Sequence, residues 1–434
     1  MPRLLYSLIL YLATPLILLR LLWRARRQAA YREHLGERFG FYPALADEKK
    51  LSAKNPPDQK PLIWLHAVSV GETRAAEPLV HALSERWPDH RILLTGMTPT
   101  GRETAHQLYG ERVLQAYLPY DFPDAVARFF RHFQPRFGVL METEIWPNLL
   151  AAAADRSIPI ALTNARLSER SARGYQRFSW LTGPAFARLA GVAAQTAADA
   201  ERLCQLGARQ VTICGNLKFD VRPQPALLSL GESWRRERRG RPAWLAASTR
   251  EGEESLILDA WQQAPGAALL ILVPRHPQRF AEIAALLSTR GIRWRARSQD
   301  LPDAATEVWL GDSMGEMAAY YASADLAFVG GSLLPLGGQN LIEAAACACP
   351  VLIGPSTFNF LQATDDAIAA GAARRIDDAH ELVATARALL ADPSALETMR
   401  AASLAFAAAH QGATERTLDM LATLSACAPG PAAH

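Results

Sequence analysis

The sequence predicts an α/β protein with two doubly wound domains, each a parallel sheet covered by helices on both faces. From about residue 60 onward, short apolar strands alternate with amphipathic helices, which is the pattern of βαβ units. These strands fall into two sets on either side of residues 223–242, a stretch rich in Pro and Arg. The chain has 434 residues, 50% of them hydrophobic, which is enough for two separate cores. We therefore expect a ligand site in the cleft between the two domains.

The predicted organisation has five parts along the chain. Residues 1–27 form an N-terminal membrane anchor, residues 28–222 form the first Rossmann-like domain, and residues 223–242 form a linker. Residues 243–405 form the second Rossmann-like domain. Residues 406–434 form a C-terminal helix that ends in an Ala-rich, disordered tail.

The N-terminal segment Leu4–Leu19 carries no charge, and four arginines follow it closely: Arg20, Arg24, Arg26 and Arg27. A helix of this length reaches roughly 24 Å, which is short of a full hydrocarbon core. Both a short span and a helix lying in the membrane interface therefore stay open. The excess of Arg after the segment predicts that the body of the protein lies in the cytoplasm. A cleaved signal peptide is the alternative, but a cationic flank follows the apolar core where a cleavage site would need small residues.

Composition and charge argue against several functional classes. The formal net charge is only +3, and no basic run is interleaved with aromatic residues, so nothing favours nucleic-acid binding. The five cysteines include no CxxC pair, as expected for reduced thiols in the cytoplasm. His276 has no second His or Cys at ligand spacing, so we predict no metal site and no cofactor.

The most informative segment is residues 330–354, which predict a strand, a glycine turn, a helix and a second strand. Gly337 and Gly338 allow the chain to turn, and Asn340 is predicted to open a helix with Glu343 in its first turn. The free N–H groups of such a helix favour an anion, and Glu343 suits a ribose hydroxyl. The spacing is neither a Walker A loop nor a G-x-G-x-x-G fingerprint. A glycine-rich turn with a capping Asn and no ligand is the alternative.

Polar side chains follow several predicted strands of the first domain. Glu72, the pair Glu142 and Glu144, and Lys218 each come after an apolar strand. Each alone is more often a helix cap or a surface ion pair. The carboxyl ends of parallel strands meet at one edge of a sheet, however, where open α/β sheets bind ligands. The common edge favours a site, and a glycosidase with paired carboxylates is a rival interpretation.

The second domain repeats this arrangement. Arg275 and His276 end one buried strand, and Met314, Gly315 and Glu316 follow another strand before a helix. An Arg at a strand end suits a phosphate or base contact, because its guanidinium donates several hydrogen bonds in a fixed geometry. The two domains together therefore predict an enzyme that uses a phosphate-containing donor.

Seven motifs together resemble the 3-deoxy-D-manno-oct-2-ulosonic acid (Kdo) transferase family of lipopolysaccharide biosynthesis. They occur in the family's order: SVGE, METEIWPN, NARLSERS, GNLKFD, LVPRHP, GDSMGE and GGQNLIEAA. The resemblance runs from the N-terminal segment to about residue 405. One motif departs from the common form GGHNPLEAA, since Gln339 and Leu341 replace its His and Pro. Gln can still donate a hydrogen bond, so only that contact is in doubt.

The resemblance implies an inverting, metal-independent glycosyltransferase of the GT-B type. It implies Glu72 as the base that deprotonates a hydroxyl of the lipid A precursor, with Glu142 and Lys218 stabilising the transition state. The residues implied to bind the CMP of the donor CMP-Kdo are Arg275, His276, Met314, Gly315, Glu316, Asn340, Leu341, Ile342 and Glu343. It implies the cytoplasmic face of the bacterial inner membrane as the location. We further expect Glu72, near a helix N-terminus, to be ionised.

Two other functions fit parts of this pattern. A nucleotide-sugar 2-epimerase would share the architecture, but it would have no use for the Arg-flanked apolar N-terminus. A membrane-tethered nucleotide sensor would keep the motifs of the second domain, but it would not need Glu72, Glu142 and Lys218.

Overall fold

The computed structural model describes residues 2–43, 60–264 and 266–426. The chain divides into two compact units. The first unit comprises Met1–Asp220 and Gln411–His434, and the second comprises Val221–His410. Each unit is built on a seven-stranded sheet whose paired strands run parallel. The predicted fold class, two doubly wound α/β domains, is confirmed.

The sheet of the first unit has the strand order β3-β2-β1-β4-β5-β6-β7. Its strands are β1 Leu62–His66, β2 Arg91–Gly96, β3 Leu114–Tyr117, β4 Phe137–Met141, β5 Ile160–Ala165, β6 Gly191–Ala194 and β7 Val211–Ile213. Its helices are α1 Pro2–Leu12, α2 Thr14–Arg27, α3 Val70–Ala75, α4 Glu77–Arg86, α5 Pro99–Tyr109, α6 Pro123–Phe133, α7 Pro147–Ala154, α8 Glu169–Arg177, α9 Ser179–Phe186, α10 Ala197–Gln205 and α19 Ala413–Ala426. Short 3₁₀ helices span Ala29–Arg32, Leu35–Phe39, Gly110–Arg112 and Leu217–Asp220.

The sheet of the second unit has the strand order β10-β11-β9-β8-β12-β13-β14. Its strands are β8 Ala243–Thr249, β9 Leu269–Pro274, β10 Trp294–Ala296, β11 Val308–Leu310, β12 Leu326–Val329, β13 Val351–Ile353 and β14 Ala373–Arg375. Its helices are α11 Pro225–Glu237, α12 Glu253–Gln263, α13 Phe280–Thr289, α14 Met317–Ser323, α15 Ile342–Ala346, α16 Leu361–Ala369, α17 Ala379–Leu390 and α18 Pro393–His410, with a 3₁₀ helix at Pro277–Arg279.

The strand orders set where a ligand site belongs. In the first unit the order reverses between β1 and β4, and in the second it reverses between β8 and β12. Open parallel sheets bind ligands at the carboxyl ends of the strands beside such a switch point. Glu72 follows β1 and Glu142 follows β4 at the switch point of the first unit, whereas Lys218 follows the edge strand β7. In the second unit Asn340–Glu343 follow β12 at the switch point, whereas Arg275 and His276 follow β9 and Met314–Glu316 follow β11.

Large aromatic side chains fill both cores. In the first unit Trp64 on β1 is fully buried and packs edge-on against Phe129 of α6, with ring centroids 5.0 Å apart. Its indole N–H donates to the Thr95 hydroxyl at 2.7 Å, which satisfies the one polar group of the ring. In the second unit Trp234 packs against Trp309 with ring centroids 5.0 Å apart.

Trp234 belongs to α11, which corrects the predicted linker at residues 223–242. Thirteen of these residues form a helix of the second unit. The sequence carried the signals for it, because Pro225 suits the first turn of a helix, and Arg235 and Arg236 in the last turn complement its dipole. The Pro and Arg residues of this stretch therefore indicated the two ends of a helix and not a linker.

The predicted N-terminal anchor is two helices, not one. Helices α1 and α2 meet at a bend of 50°. Pro15 lies in the first turn of α2 and has no N–H to continue the hydrogen bonding of α1, so the helix breaks there. Across residues 2–43, 60–264 and 266–426, no single helix is long and apolar enough to cross a bilayer; only the bent pair meets that requirement, by length and composition alone.

The C-terminal segment also departs from the predicted boundary at residue 405. Helix α18 runs on to His410 within the second unit, and α19 then returns to the first unit. The carboxylate of Asp220 fastens this return by accepting the N–H groups of Gly412 at 2.7 Å and Thr414 at 2.5 Å. The end of the predicted disordered tail, residues 427–434, lies outside the described residues.

Candidate active site

Glu72 lies in the turn that follows β1, at the start of α3. The hydroxyl of Ser69 caps the helix and accepts the N–H of Glu72 at 3.4 Å. The carboxylate of Glu72 in turn accepts the Ser69 hydroxyl at 2.9 Å and the N–H of Val68 at 2.8 Å. This reciprocal capping holds the side chain in one orientation.

The environment of Glu72 corrects the expectation that it is simply ionised. Burial raises the pKa of Glu72 to about 7, the hydrogen bonds from Val68 and Ser69 oppose the rise, and the charges of Glu142 and Glu144 add to it. The helix N-terminus alone would lower the pKa, but desolvation and two like charges outweigh it. A carboxylate with a pKa near the working pH is well matched to proton transfer.

Glu142 and Lys218 form an ion pair beside this turn. Glu142 directly follows β4 in a left-handed conformation, with a φ of 59°, and its N–H donates to the carbonyl of Thr163 at 2.9 Å. The ammonium of Lys218 lies 3.5 Å from its carboxylate. Non-glycine residues in this conformation are uncommon and concentrate at functional sites. The structure thus brings together the predicted acidic and basic residues of the first unit.

Glu144 lies in the same five-residue connection, residues 142–146, which we call the acidic loop. The indole N–H of Trp146 donates to its carboxylate at 2.7 Å. Burial raises the pKa of Glu144, the bond from Trp146 opposes this, and Glu142 raises it further. The negative charge of Glu144 in turn raises the pKa of Glu72.

Asn164, at the end of β5, is a site residue to which the sequence assigned no role. It is fully buried and left-handed, with a φ of 51°. Its side-chain oxygen accepts the N–H of Leu217 at 3.0 Å, and its main-chain carbonyl accepts the side-chain amide of Gln195 at 2.9 Å. Asn164 therefore fixes the main chain immediately before Lys218. A polar residue opening the motif NARLSERS at a strand end was the available signal.

In the second unit a buried carboxylate organises residues 330–338, which we call the glycine turn. Glu253 is fully buried at the start of α12. It accepts the N–H groups of Gly331 at 2.6 Å, Leu333 at 3.0 Å and Arg250 at 2.8 Å. The sequence did not reveal this role of Glu253, because two of its partners lie about 80 residues away along the chain.

Two glycines are required at this turn by close packing. A Cβ on Gly330 would lie 2.5 Å from the carbonyl oxygen of Ser248, where β8 and β12 end side by side. A Cβ on Gly337 would lie 2.4 Å from the side chain of Asn359, and Gly337 has a φ of 88°. A side chain at Gly330 would displace the main chain at the end of β8, and one at Gly337 would displace the side chain of Asn359 and strain the left-handed backbone.

The helix after the glycine turn begins two residues later than predicted. Helix α15 spans only Ile342–Ala346, and Asn340 lies in the turn before it. Asn340 accepts the N–H of Ile342 at 3.1 Å and donates to the carboxylate of Glu343 at 3.1 Å. The side chains of Leu341 and Ile342 are buried, so only their main chain is available to a ligand.

Arg275 and His276 lie at the exposed end of β9, beside the glycine turn. The N–H of Arg275 donates to the carbonyl of Thr249 at 2.9 Å, and its guanidinium donates to the side-chain oxygen of Gln339 at 3.3 Å. Gln339 is the residue that departs from the common family motif, and here it acts as an acceptor. These contacts connect the arginine to the turn that precedes α15.

His276 is surrounded by positive charge. Burial lowers its pKa, and the guanidinium groups of Arg250, Arg275 and Arg279 lower it further. The imidazole is therefore neutral near pH 7, in a cationic environment that suits an anion. Within the described parts of the chain, no group of three or more His, Cys, Asp and Glu side chains could hold a metal. The absence of a metal from the reaction stays a prediction.

Glu316 and its neighbours form the turn that leads into α14. The carboxylate of Glu316 accepts the guanidinium of Arg297 at 3.0 Å and the hydroxyl of Ser313 at 2.5 Å. Gly315 is left-handed, with a φ of 81°, and the side chain of Met314 is 58% exposed. Sequence reasoning missed Arg297, which lies 19 residues before its partner and in no recognised motif.

The two seven-stranded parallel sheets give this chain an α/β architecture of the GT-B-like class. The structure of a glycosyltransferase from Rickettsia africae ESF-5 is similar, with a TM-score of 0.58 and 12% sequence identity, covering 84% of this chain and 98% of that one. At this identity the similarity concerns the fold alone.

The sequence comparisons identify the family. Residues 33–221 match the family described as 3-Deoxy-D-manno-octulosonic-acid transferase (kdotransferase). The chain is 47% identical to the 3-deoxy-D-manno-octulosonic acid transferase of Bordetella pertussis, over 97% of this chain and 99% of the relative. It is 37% identical to that of Haemophilus influenzae, over 96% and 98%. The chain belongs to the Kdo transferase family and is a Kdo glycosyltransferase, which confirms the resemblance noted in the sequence.

Proposed function

We propose that this protein transfers Kdo from CMP-Kdo to a hydroxyl of the lipid A precursor, lipid IVA, with inversion and without a metal. Family membership supports Kdo as the transferred sugar. The observation that carries the proposal is the half-buried carboxylate of Glu72, whose pKa is raised to about 7 by desolvation and by the charges of Glu142 and Glu144. A base that must accept one proton per turnover works best with a pKa near the ambient pH.

In the proposed reaction the acceptor hydroxyl attacks the anomeric carbon of Kdo as Glu72 takes its proton. The new C–O bond forms while the bond to the phosphate oxygen of CMP breaks, and CMP leaves with the bonding electron pair. A single displacement of this kind inverts the anomeric centre. The Glu142–Lys218 pair supplies fixed charges that balance the charge developing in the transition state.

The second unit holds the donor in this proposal. Arg275 offers a guanidinium for the phosphate, and the neutral His276 offers one donor and one acceptor. Met314–Glu316 and Asn340–Glu343 line the nucleoside, with the carboxylate of Glu343 on the ribose. The fixed main chain of the glycine turn supports this role, because a preformed turn loses little entropy on binding.

We further propose that α1 and α2 hold the protein at the cytoplasmic face of the bacterial inner membrane, beside its lipid acceptor. Leu12 and Leu16 are 72% and 69% exposed, and nine further large apolar side chains of the pair are at least 41% exposed: Leu4, Leu5, Leu8, Ile9, Tyr11, Leu18, Leu19, Leu22 and Trp23. The arginines of α2 suit anionic lipid headgroups.

The test is the mass of the product formed from lipid IVA and freshly prepared CMP-Kdo. We expect lipid IVA to gain the mass of one or more Kdo residues. Glu72→Gln removes the base but keeps the size of the side chain, so it should reduce turnover by roughly 10² or more while leaving CMP binding intact. A wild-type protein that leaves lipid IVA unchanged under these conditions would contradict the proposal.

A further inference from the structure

Helix α1 is attached to the first unit by buried polar contacts, which a detached membrane anchor would not need. Ser7 is buried, and its hydroxyl accepts the side-chain amide of Asn148 at 3.0 Å. The same hydroxyl lies 2.8 Å from the carbonyl of Arg3, one turn earlier in α1. Asn148 is itself buried in the first turn of α7.

The second contact converges on the same turn. Asp121, which is only 2% exposed, accepts the N–H groups of Asn148 at 2.9 Å and Leu149 at 2.8 Å. It therefore caps α7 from outside, in place of Trp146, which makes no side-chain cap. The phenol of Tyr6 in α1 is close enough to the same carboxylate that the carboxylate charge helps to raise the pKa of Tyr6. The same buried carboxylate thus caps α7 and influences Tyr6 of α1 electrostatically.

The first turn of α7 fixes one end of the acidic loop. The loop has only five residues, between Met141 at the end of β4 and Pro147 at the start of α7. The N–H of Glu142 holds the other end to the carbonyl of Thr163. A loop this short transmits a shift of the helix directly to Glu142 and Glu144.

We propose that α1 is a positioning element of the active site, in which Tyr6 and Ser7 hold α7 and through it the acidic loop. The inference rests on the proposed transferase function and adds a role for α1 that does not require a membrane. Because turnover depends on where Glu142 stands relative to Glu72 and Lys218, loosening α1 should slow the chemical step. Binding of the donor, assigned to the second unit, should not change.

The test compares Tyr6→Phe and Ser7→Ala with Tyr11→Phe, in detergent micelles with CMP-Kdo and lipid IVA. Tyr11 is a matched control in the same helix, because its hydroxyl donates to the exposed Asp124 of α6 at 2.6 Å and not to Asn148 of α7 or to Asp121, which caps α7. We expect kcat to fall roughly tenfold in the first two variants, since a misplacement of about 1 Å can cost up to ~10² in rate. The KM for CMP-Kdo should stay at its wild-type value, and Tyr11→Phe should behave as wild type.

Three results of this test would overturn the positioning role of α1. Unchanged kcat in both Tyr6→Phe and Ser7→Ala overturns the positioning role, and so does an equal loss in Tyr11→Phe, which would indicate a general effect of α1. A parallel rise in KM for CMP-Kdo also overturns it. An inactive wild-type protein would refute the transferase proposal instead, so the two failures are distinguishable. Thermal midpoints of the three variants identify any loss that is due to unfolding.

Discussion

If Glu72 is the base, as proposed, its side chain meets two opposing requirements. A base must be free of its proton to act, whereas burial beside Glu142 and Glu144 favours the protonated form. The hydrogen bonds from Val68 and Ser69 stabilise the ionised form and limit the rise of the pKa. A pKa of about 7 would give the proposed base a useful strength at neutral pH, at some cost in stability.

The pH dependence of turnover should report this group. We expect kcat to rise with pH through an inflection near 7, because only ionised Glu72 accepts a proton. Glu144→Gln removes a negative neighbour and should move the inflection to lower pH. The residual rate of Glu72→Gln should have no inflection there. If the kcat of the wild-type protein did not change between about pH 5 and about pH 9, Glu72 would not be the base.

The contribution of Glu72 to the free energy of unfolding should fall as the pH rises, whereas kcat should increase. The pKa of Glu72 is about 7 in the folded chain, above its ordinary value of 4.5, so the unfolded chain loses this proton first. The contribution of Glu72 to the free energy of unfolding is thus complete below pH 4.5 and is lost as the pH rises through about 7. Glu72→Gln should therefore raise the thermal midpoint at pH 8 relative to wild type and lose this advantage at low pH.

Substitution of Asn164 should show whether its side chain positions Lys218. Asn164→Gly keeps the left-handed conformation at no steric cost but removes the acceptor for the N–H of Leu217. We expect kcat to fall by roughly tenfold, with the concentration of CMP-Kdo for half-saturation unchanged. Ser157→Gly is the matched control, because Ser157 is also left-handed, with a φ of 56°, and precedes β5, at the opposite end of the strand from Asn164. Wild-type turnover in Asn164→Gly would mean that Lys218 is held by other contacts.

At the level of elements, the sequence predicted those features that depend on neighbouring residues. Strands β1 and β4 and the residues that follow them could be found because apolar runs and turn residues are local signals. The role of Glu253 could not be found in this way, since its partners Gly331 and Leu333 are 78 and 80 residues distant. The role of α1 was missed for the same reason: Ser7 meets Asn148 across 141 residues.

Asp220 connects the N-terminus of helix α19 with the segment that carries Lys218. Asp220 caps its N-terminus and lies two residues after Lys218, in the 3₁₀ helix Leu217–Asp220. Asp220→Ala should destabilise the first unit by about 1–2 kcal/mol, the usual cost of losing a cap. It should also lower turnover, because the support of Lys218 is weakened.

The control for this prediction is Asp392→Ala, in which the lost carboxylate accepts the N–H of Ala395 at 3.0 Å at the start of α18. We expect both variants to lower the thermal midpoint, since both lose a helix cap. Only Asp220→Ala should lower kcat. Equal turnover in the two variants would show that α19 supports the fold without supporting the site.

On the scale of the whole molecule, the chain passes between the two units twice, after Asp220 and after His410. The first unit is therefore discontinuous in sequence, and a fragment that stops before Gln411 would lack α19. Hydrophobic patterning predicted a C-terminal helix but not the unit that it joins, because the pattern of a single helix does not identify the surface that it covers. Experiments on the separate units should thus express the first one with α19 attached.

In the proposed reaction the charge of the leaving phosphate is balanced by the side chains of Arg275 and Lys218, where other nucleotide-sugar enzymes use a divalent cation. Transfer from preformed CMP-Kdo should therefore be unchanged by EDTA, as measured by the product mass or the initial rate. Arg275→Ala should lower turnover with or without EDTA, because a missing guanidinium removes a charge-assisted bond to phosphate.

A strict requirement for a divalent cation in this assay would overturn the metal-independent mechanism. The donor must be preformed because the enzyme that makes CMP-Kdo is itself expected to need magnesium, and a coupled assay would report that need instead.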